Sequence, residues 1–208
     1  MDLGIQGKVA LVLASSKGLG QAIAVSLAKE GARVVLTGRT VEALERTAKQ
    51  IIEAGGSATV LPWDLHQLNE IDLKISQIEK EVGPVDILIN NTGGPPPTSA
   101  ANQSIELWQS NFNHLVLLLM KVTDRVLPHM KAKAWGRIIT STSSGMISPL
   151  PGLAISNTLR AAIMGWSKTL ASEVAKDGVT VNIVLPGRIA TDRLHELDQI
   201  RAQKESKT

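Results

Sequence analysis

Residues 8–38 read "KVALVLASSKGLGQAIAVSLAKEGARVVLTG" and decide the fold. The first seven form a short apolar run rich in valine and leucine, which is typical of a strand buried on both faces. After a loop of small residues, Ile23 and Leu27 recur at helical spacing, and Gly31 ends the pattern. Residues 33–38 form a second apolar run. The stretch therefore predicts a strand, a helix and a second strand in succession.

The same alternation continues along the rest of the chain. Further strands are predicted at 57–64, 84–91, 136–144 and 179–187, and helices within 40–56, 68–83, 104–132 and 155–178. Strands joined by helices in this way imply a parallel sheet, because right-handed crossovers place the helices on both faces. The expected fold is α/β: a Rossmann-like, doubly wound parallel sheet in three α/β/α layers, with 1–208 as a single domain.

The composition excludes several classes of function. Lysine and arginine number 22 against 19 for aspartate and glutamate, and they are spread along the chain, which argues against a nucleic-acid partner. The chain has no cysteine and its four histidines are far apart in sequence, so no metal site is expected. The apolar run near the N-terminus is too short to span a membrane, so we expect a cytoplasmic protein with no membrane partner.

The loop "LASSKGLG" at 13–20 joins the first strand to the first helix. Small residues there let backbone N–H groups approach a pyrophosphate, and the helix dipole favours negative charge at that end. The spacing is A-x-x-x-G-x-G and not the usual G-x-G-x-x-G. Gly18 and Gly20 are free to take a positive φ, whereas Ala14 is not. The alternative is a tight turn that binds no ligand.

The end of the second strand bears on the choice of cofactor. It reads "LTGRT" and has no carboxylate that would accept hydrogen bonds from the ribose of NAD. Arg39, together with Lys17, can instead clamp a 2′-phosphate. We therefore expect NADP(H) in preference to NAD(H). The alternative is that both residues are solvated surface cations.

Further motifs stand in order along the chain. They are "ASSKGLG" at 14–20, Asp64 in "PWDL", "NNTG" at 90–93, "GRIITSTSS" at 136–144 and "PGRIAT" at 186–191. Together they resemble the short-chain dehydrogenase/reductase family, and within it the 3-oxoacyl-(acyl-carrier-protein) reductases, over about residues 5–195. The resemblance implies a set of cofactor-binding residues: Ala14, Ser16, Lys17, Gly18, Leu19, Gly20, Arg39, Asp64, Leu65, Asn91, Thr92, Gly93, Pro186, Gly187, Ile189 and Thr191.

The active site departs from the family pattern. The resemblance places the active-site serine at Ser143, but the family's Y-x-x-x-K motif falls on "SNTLR", so that Ser156 and Arg160 replace its tyrosine and lysine. The asparagine of the usual tetrad falls on Leu115, with Asn111 one turn earlier as a substitute. We expect Ser143, Ser156 and Arg160 to be the catalytic residues. The chain also ends about where family members continue to a seventh strand and their last helices.

These replacements change what the site can do chemically. A serine hydroxyl is a much weaker acid than tyrosine, and each lost pKa unit is worth roughly 1.4 kcal/mol of driving force. Arginine is not expected to donate a proton, since its pKa exceeds about 12. Losing a general acid typically costs about 10²–10⁴ in rate. The sequence therefore predicts an NADP-dependent oxidoreductase with altered proton delivery. The alternatives are an inactive NADP-binding sensor or partner subunit, and a structural relative whose pocket is unformed.

The remaining expectations concern substrate and assembly. The resemblance implies a small-molecule carbonyl or alcohol as substrate. An apolar one is favoured, because Pro95–Pro97 face a loop that carries Met146, Ile147, Leu150 and Leu153. The segments "HLVLLLMKV" and "AAIMGWSKTL" are apolar over more than one helical face. Family members pair the corresponding helices, so a homodimer or homotetramer is expected.

Overall fold

The computed structural model of the protein describes residues 2–204. Its strands are all parallel and form one sheet in the order β3-β2-β1-β4-β5-β6. Their bounds are β1 Val9–Val12, β2 Arg33–Gly38, β3 Ser57–Pro62, β4 Ile87–Asn90, β5 Gly136–Ser141 and β6 Val179–Val184. The prediction of a doubly wound parallel sheet is confirmed. The order reverses between β1 and β4, and a crevice for ligands forms at such a point.

Helices cover both faces of the sheet. Their bounds are α1 Gly18–Lys29, α2 Val41–Glu53, α3 Ile71–Glu81, α4 Ile105–Phe112, α5 Leu118–Ala132, α6 Ala154–Val174 and α7 Asp192–Lys204. Strand β1 shows how one apolar run serves two cores. Ala10 and Val12 pack with α1 and α2, whereas Val9 and Leu11 pack with α3, α5 and α6. None of the helices in residues 2–204 is long and apolar enough to cross a membrane.

Most predicted strands end earlier than expected at their carboxyl ends. The runs 8–14, 57–64, 136–144 and 179–187 stop as strands at Val12, Pro62, Ser141 and Val184. Leu13, Trp63 and Thr142 still donate their backbone N–H groups to the neighbouring strands, and the chain then passes into loops. The runs were overestimated because small and apolar loop residues continue the composition of a strand.

The single long helix predicted over 104–132 is interrupted. The Ser104 side chain caps α4 by accepting a hydrogen bond from the N–H of Leu107 at 3.2 Å. A π-helical turn, Asn113–Leu117, then separates α4 from α5. Periodicity did not reveal this turn, since the segment stays helical and apolar throughout. π-Helical turns of this kind occur often at functional sites.

Candidate active site

A cavity of about 800 Å³ opens at the carboxyl edge of the sheet. It is bordered by the loops that follow β1, β2, β3, β4, β5 and β6 and by the start of α6. Every residue that the sequence predicted for cofactor binding or catalysis lines it. These residues are Ala14, Ser16, Lys17, Gly18, Leu19, Gly20, Arg39, Asp64, Leu65, Asn91, Thr92, Gly93, Ser143, Ser156, Arg160, Pro186, Gly187, Ile189 and Thr191.

One end of the cavity is formed by the N-terminus of α1. Lys17 precedes the helix with an extended backbone, and no side chain caps the helix. Its first turn also carries no acidic residue. The loop needs a glycine at Gly18, where φ is +60°. The open N–H groups and the helix dipole thus suit a phosphate at this end.

The contact between Ala14 and Gly20 corrects one expectation. Ala14 does adopt a positive φ, +49°, in the region that favours glycine. Gly20 has no positive φ but is needed for a different reason. A Cβ atom there would overlap the carbonyl oxygen of Ala14 and come within 2.9 Å of Nδ2 of Asn91. The first turn of α1 therefore packs directly against the end of β1.

Asn91, which follows β4, is hydrogen-bonded to the loop after β1. Its Nδ2 donates to the carbonyl oxygens of Leu13, at 3.2 Å, and Ala14, at 3.3 Å. The side chain is thereby fixed at the floor of the cavity. Its proposed contact with the cofactor rests on this position.

Ser15 is a positioning residue that the sequence reasoning did not single out. It is fully buried, and its Oγ accepts from the N–H of Thr37 at 2.9 Å while donating to the carbonyl oxygen of Val12 at 3.0 Å. These bonds join the loop after β1 to the end of β2. A serine between two small loop residues gave no sequence signal that separated this role from that of its neighbour Ser16.

The loop after β3 brings two histidines together. The rings of His66 and His114 stack with centroids 4.1 Å apart and an angle of 31° between them, and both line the cavity. Oδ1 of Asp64 accepts from the N–H of His66 at 3.1 Å. Burial, with the nearby His66 and Arg39, lowers the pKa of His114 to about 4. Their positions, 48 apart in the chain, gave no sign in the sequence that the two histidines meet.

The two cations expected to clamp a phosphate differ in their surroundings. Within residues 2–204, Arg39 is exposed and makes no ion pair. Nζ of Lys17 lies 3.9 Å from Oδ2 of Asp192, and both side chains are largely exposed. Arg39 is therefore the cation more open to an anion, while Lys17 is shared with the start of α7.

Arg160 lies at the other end of the cavity, on the first turns of α6. Its Nε donates to Oγ of Ser156 at 3.3 Å, and its Nη1 donates to the carbonyl oxygen of Ser141 at 3.2 Å. Burial lowers the pKa of Arg160 to about 10, below the ordinary value for arginine. The guanidinium still carries its charge at neutral pH.

Ser143 follows β5 and opens a short 3₁₀ turn. Its Oγ accepts a hydrogen bond from the N–H of Gly145 at 3.1 Å. Ser143 and Ser156 therefore lie in one cavity on different elements, the loop after β5 and the helix α6. The structure brings together the three residues that the sequence nominated for catalysis.

Neither candidate for the asparagine position reaches this cavity. Leu115 is buried in the core, and Asn111 donates from Nδ2 to the carbonyl oxygen of Leu107 at 2.8 Å within its own helix. The suggestion that Asn111 substitutes for the family asparagine was wrong. The π-helical turn separates Asn111 from the residues that follow it toward the sheet.

Only some of the apolar residues predicted to border the substrate line the cavity at its catalytic end. Pro95, Pro97, Leu150 and Leu153 line the cavity. The other three residues named for this wall do not line it: Pro96, Met146 and Ile147.

The loop after β4 is fastened to α6. Thr98 donates its N–H to the carbonyl oxygen of Gly152 at 2.7 Å, and its Oγ1 accepts from the N–H of Ile155 at 3.3 Å. These bonds fix the start of α6, and with it Ser156, relative to the sheet.

The first turns of helix α7 and the segment before it line the cavity. Cγ2 of Thr191 lies 3.7 Å from the position that a Cβ atom of Gly18 would take. Nη2 of Arg193 donates to the carbonyl oxygen of Pro95 at 2.6 Å. The segment after β6 thus touches both ends of the site, and residues 205–208 lie outside the described residues.

Comparison with known proteins gives a consistent picture. The family model described as short chain dehydrogenase matches residues 8–202. Ketoacyl reductase HetN of Nostoc is 32% identical over 89% of this chain and 65% of its own length. The 3-oxoacyl-(acyl-carrier-protein) reductase of Synechocystis is 33% identical over 93% of this chain and 79% of its own. The chain thus spans slightly less than two thirds of the first of these relatives.

A solved structure is similar over nearly all of the chain. The L-sorbose reductase of Gluconobacter frateurii, solved with NADPH and L-sorbose, has a TM-score of 0.91 and 35% identity. The match covers 98% of this chain and 78% of that protein. The likeness extends through every strand around the cavity.

Proposed function

The chain belongs to the short chain dehydrogenase family, and we propose that it is an NADP-dependent oxidoreductase that transfers hydride between nicotinamide and a carbonyl or alcohol. The observation that carries the proposal is the single cavity of about 800 Å³ into which both the open N-terminus of α1 and the Ser143, Ser156 and Arg160 side chains face. Such a volume suits a cofactor-binding site.

The cofactor assignment rests on charge and on the loop after β1. The N–H groups at the start of α1 receive the pyrophosphate, and Arg39 receives the 2′-phosphate because no carboxylate occupies the end of β2. Asp64 and Leu65 bound the adenine side, and Thr191 the nicotinamide side. The L-sorbose reductase solved with NADPH supports this assignment.

The catalytic assignment follows from hydrogen bonds at the other end. When bound, NADPH supplies the hydride. Ser143 and Ser156 orient the carbonyl oxygen, and the Arg160 guanidinium stabilises negative charge as it develops there. Because tyrosine is absent from the chain, water delivers the proton and turnover is slow.

The substrate is a small carbonyl compound with apolar parts that contact Leu150, Leu153, Pro95 and Pro97. The similarity to a ketoacyl reductase and to a 3-oxoacyl-(acyl-carrier-protein) reductase supports a carbonyl substrate. The cytoplasmic setting expected from the sequence belongs to the same proposal.

The assembly proposed is the homodimer or homotetramer expected from the sequence, with the segments "HLVLLLMKV" and "AAIMGWSKTL" on α5 and α6 near the interface and α4 beside them. On α4, Ile105 is 69% exposed and Phe112 is 42% exposed, and both are large apolar side chains. Burying them against a second copy removes apolar surface from water. Sedimentation that shows a monomer at all concentrations would count against this assembly.

NADPH oxidation in the presence of an activated ketone such as 2,3-butanedione tests the proposed function. We expect measurable turnover that falls by about 10²–10³ in Ser143→Ala, because one hydrogen-bond donor to the oxyanion is lost. Tight NADPH binding without oxidation by any carbonyl would instead support the inactive cofactor-binding alternative. Absence of NADPH binding would mean that the glycine loop is only a turn.

A further inference from the structure

The serine hydroxyls at the catalytic end use their lone pairs, not their hydrogens, to bond the protein. Oγ of Ser143 accepts from the N–H of Gly145, and Oγ of Ser156 accepts from Nε of Arg160. Both partners can only donate. Within the part of the chain that the structure describes, neither serine hydrogen has a protein acceptor. Each hydroxyl is therefore free to donate to a ligand in the cavity.

Arg160 adds a positive charge to these donors. It makes no ion pair within residues 2–204, and its protein acceptors there are Ser156 Oγ and Ser141 O. No aspartate, glutamate, histidine or lysine among the described residues hydrogen-bonds Ser143, Ser156 or Arg160. The three groups that would hold an anion at this end of the cavity are therefore hydrogen-bond donors, and none of them is bonded to an ordinary general acid in the described residues.

Whether the reaction needs a general acid at this end of the cavity depends on how basic the product of hydride transfer is. An aliphatic alkoxide is about as basic as hydroxide, far too strong a base to persist in water. It must be protonated before it can leave. A phenolate belongs to an acid with a pKa of about 10, and it can leave as the anion. A site of donors without an acid therefore favours substrates whose reduced form is a stabilised anion.

We propose that this site reduces quinones, a substrate class that rests on the proposed function and narrows it. The hydride leaves C4 of NADPH with its electron pair and forms a new O–H bond at one quinone oxygen. The ring becomes aromatic, and the second oxygen becomes a phenolate that accepts from Ser143, Ser156 and Arg160. Solvent protonates that phenolate after release, so the products are hydroquinone and NADP⁺.

The walls of the cavity fit such a ligand. Leu150, Leu153, Pro95 and Pro97 all line the catalytic end, and the loop that carries the two prolines pairs with Leu153 through a β-bridge at Thr98. Apolar side chains held on fastened loops suit a flat, rigid ring. The polar groups are confined to the end where the quinone oxygen binds.

The test compares two bicyclic carbonyls of similar size, 1,4-naphthoquinone and 1-tetralone. Because quinones are intrinsically easier to reduce, the quantity compared is the ratio of their kcat/KM values in two proteins, after subtraction of the uncatalysed rate. The second protein is Ser156→Tyr/Arg160→Lys, which restores a general acid. Thr158→Ala, an exposed neighbour on α6 that does not line the cavity, is the control.

We expect the quinone-to-ketone ratio to fall by about 10²–10⁴ in the double variant, because an acid accelerates ketone reduction selectively. A ratio that is the same in both proteins would overturn the proposal. The control should keep the parent ratio. If NADPH fails to bind the parent protein, or no carbonyl is reduced, the proposed function itself fails and not merely its substrate class.

A second measurement covers the case in which the double variant does not bind NADPH. The solvent deuterium isotope effect on kcat with 1,4-naphthoquinone is measured on the parent protein. A value near 1 is expected, since no solvent proton moves before the phenolate leaves. A large solvent effect with the quinone would contradict the proposal.

Discussion

The two ends of the cavity are built alike, but one depends on backbone groups and the other on side chains. Each is a loop after a strand that leads into a helix, α1 at one end and α6 at the other. At α1 the groups proposed to bind a ligand are backbone N–H groups and the helix dipole, which require space and not a particular side chain. At α6 they are the side chains of Ser156 and Arg160. A substitution at the α1 end therefore adds strain, whereas a substitution of Ser156 or Arg160 at the α6 end changes the chemistry.

The largest expected effect follows from removing the cation at the α6 end. In Arg160→Ala the oxyanion loses a charge-assisted donor, and kcat with an activated carbonyl should fall by about 10²–10³. NADPH affinity, measured by calorimetry, should fall by less. Arg160→Lys keeps the charge but not the fork of donors and should give an intermediate kcat. An Arg160→Ala protein with the parent kcat would show that this end works in another way.

Gly20→Ala tests the α1 end in the same manner. The added methyl group meets the Ala14 carbonyl, which is backbone and cannot rotate away. The start of α1 must therefore shift, and NADPH affinity should fall by about 10²-fold. Overpacking should also lower the free energy of unfolding by about 1–3 kcal/mol.

The matched control for this change is Gly165→Ala. It also adds one methyl group within a helix, where a Cβ atom meets nothing within 4 Å. It should raise stability by about 1 kcal/mol through helix propensity and leave NADPH affinity unchanged. If Gly20→Ala and Gly165→Ala had the same NADPH affinity and the same free energy of unfolding, the α1 end would not depend on the close contact at Gly20.

His114 makes the cofactor end partly dependent on side chains. Its folded pKa of about 4 lies below the ordinary value of 6.5, so only the unfolded chain binds the proton between those pH values. The stability from neutral His114 is complete above pH 6.5 and is lost as the pH falls toward 4. Urea unfolding at pH 7 and 4.5 should show a loss about 2–3 kcal/mol larger than in His114→Leu. Equal losses in both proteins would contradict the burial of a neutral imidazole.

The smallest expected effect is the relief of strain at Ala14. A residue other than glycine at φ +49° costs about 1–2 kcal/mol, and glycine gains unfolded-state entropy that offsets part of this. Ala14→Gly should therefore raise the free energy of unfolding by about 0.5–1 kcal/mol. Ala134→Gly, at φ +51° and outside the cavity, is the control. It should stabilise similarly, whereas only Ala14→Gly should alter NADPH affinity.

The order of strands and helices was predictable because buried parallel strands leave apolar runs and glycines mark the turns between them. The residues around the cavity followed from the same logic, since the carboxyl ends of parallel strands meet at one edge. Sequence could not show which groups touch across that edge. The stacking of His66 on His114 and the bond from Arg160 to the Ser141 carbonyl join residues that are distant in the chain.

Besides contacts between distant residues, the sequence could not predict local backbone conformation. Alanine normally avoids a positive φ, so the sequence predicted a negative φ at Ala14. The prediction was wrong, because φ there is +49°. The π-helical turn before α5 likewise has no compositional mark, and Asn111, which precedes it, bonds within its own helix and does not line the cavity. Both features arise because the packing of the whole edge overrides local preference.

The most direct test of the account is a calorimetric titration with NADPH and then with NADH, on the parent protein and on Arg39→Ala. NADPH should bind more tightly than NADH, and the preference should fall by about 10–100-fold in Arg39→Ala, the range of one charge-assisted hydrogen bond. Arg46→Ala, an exposed arginine on α2 that does not line the cavity, should leave the preference unchanged. Binding of neither nucleotide to the parent protein would contradict the account at its centre.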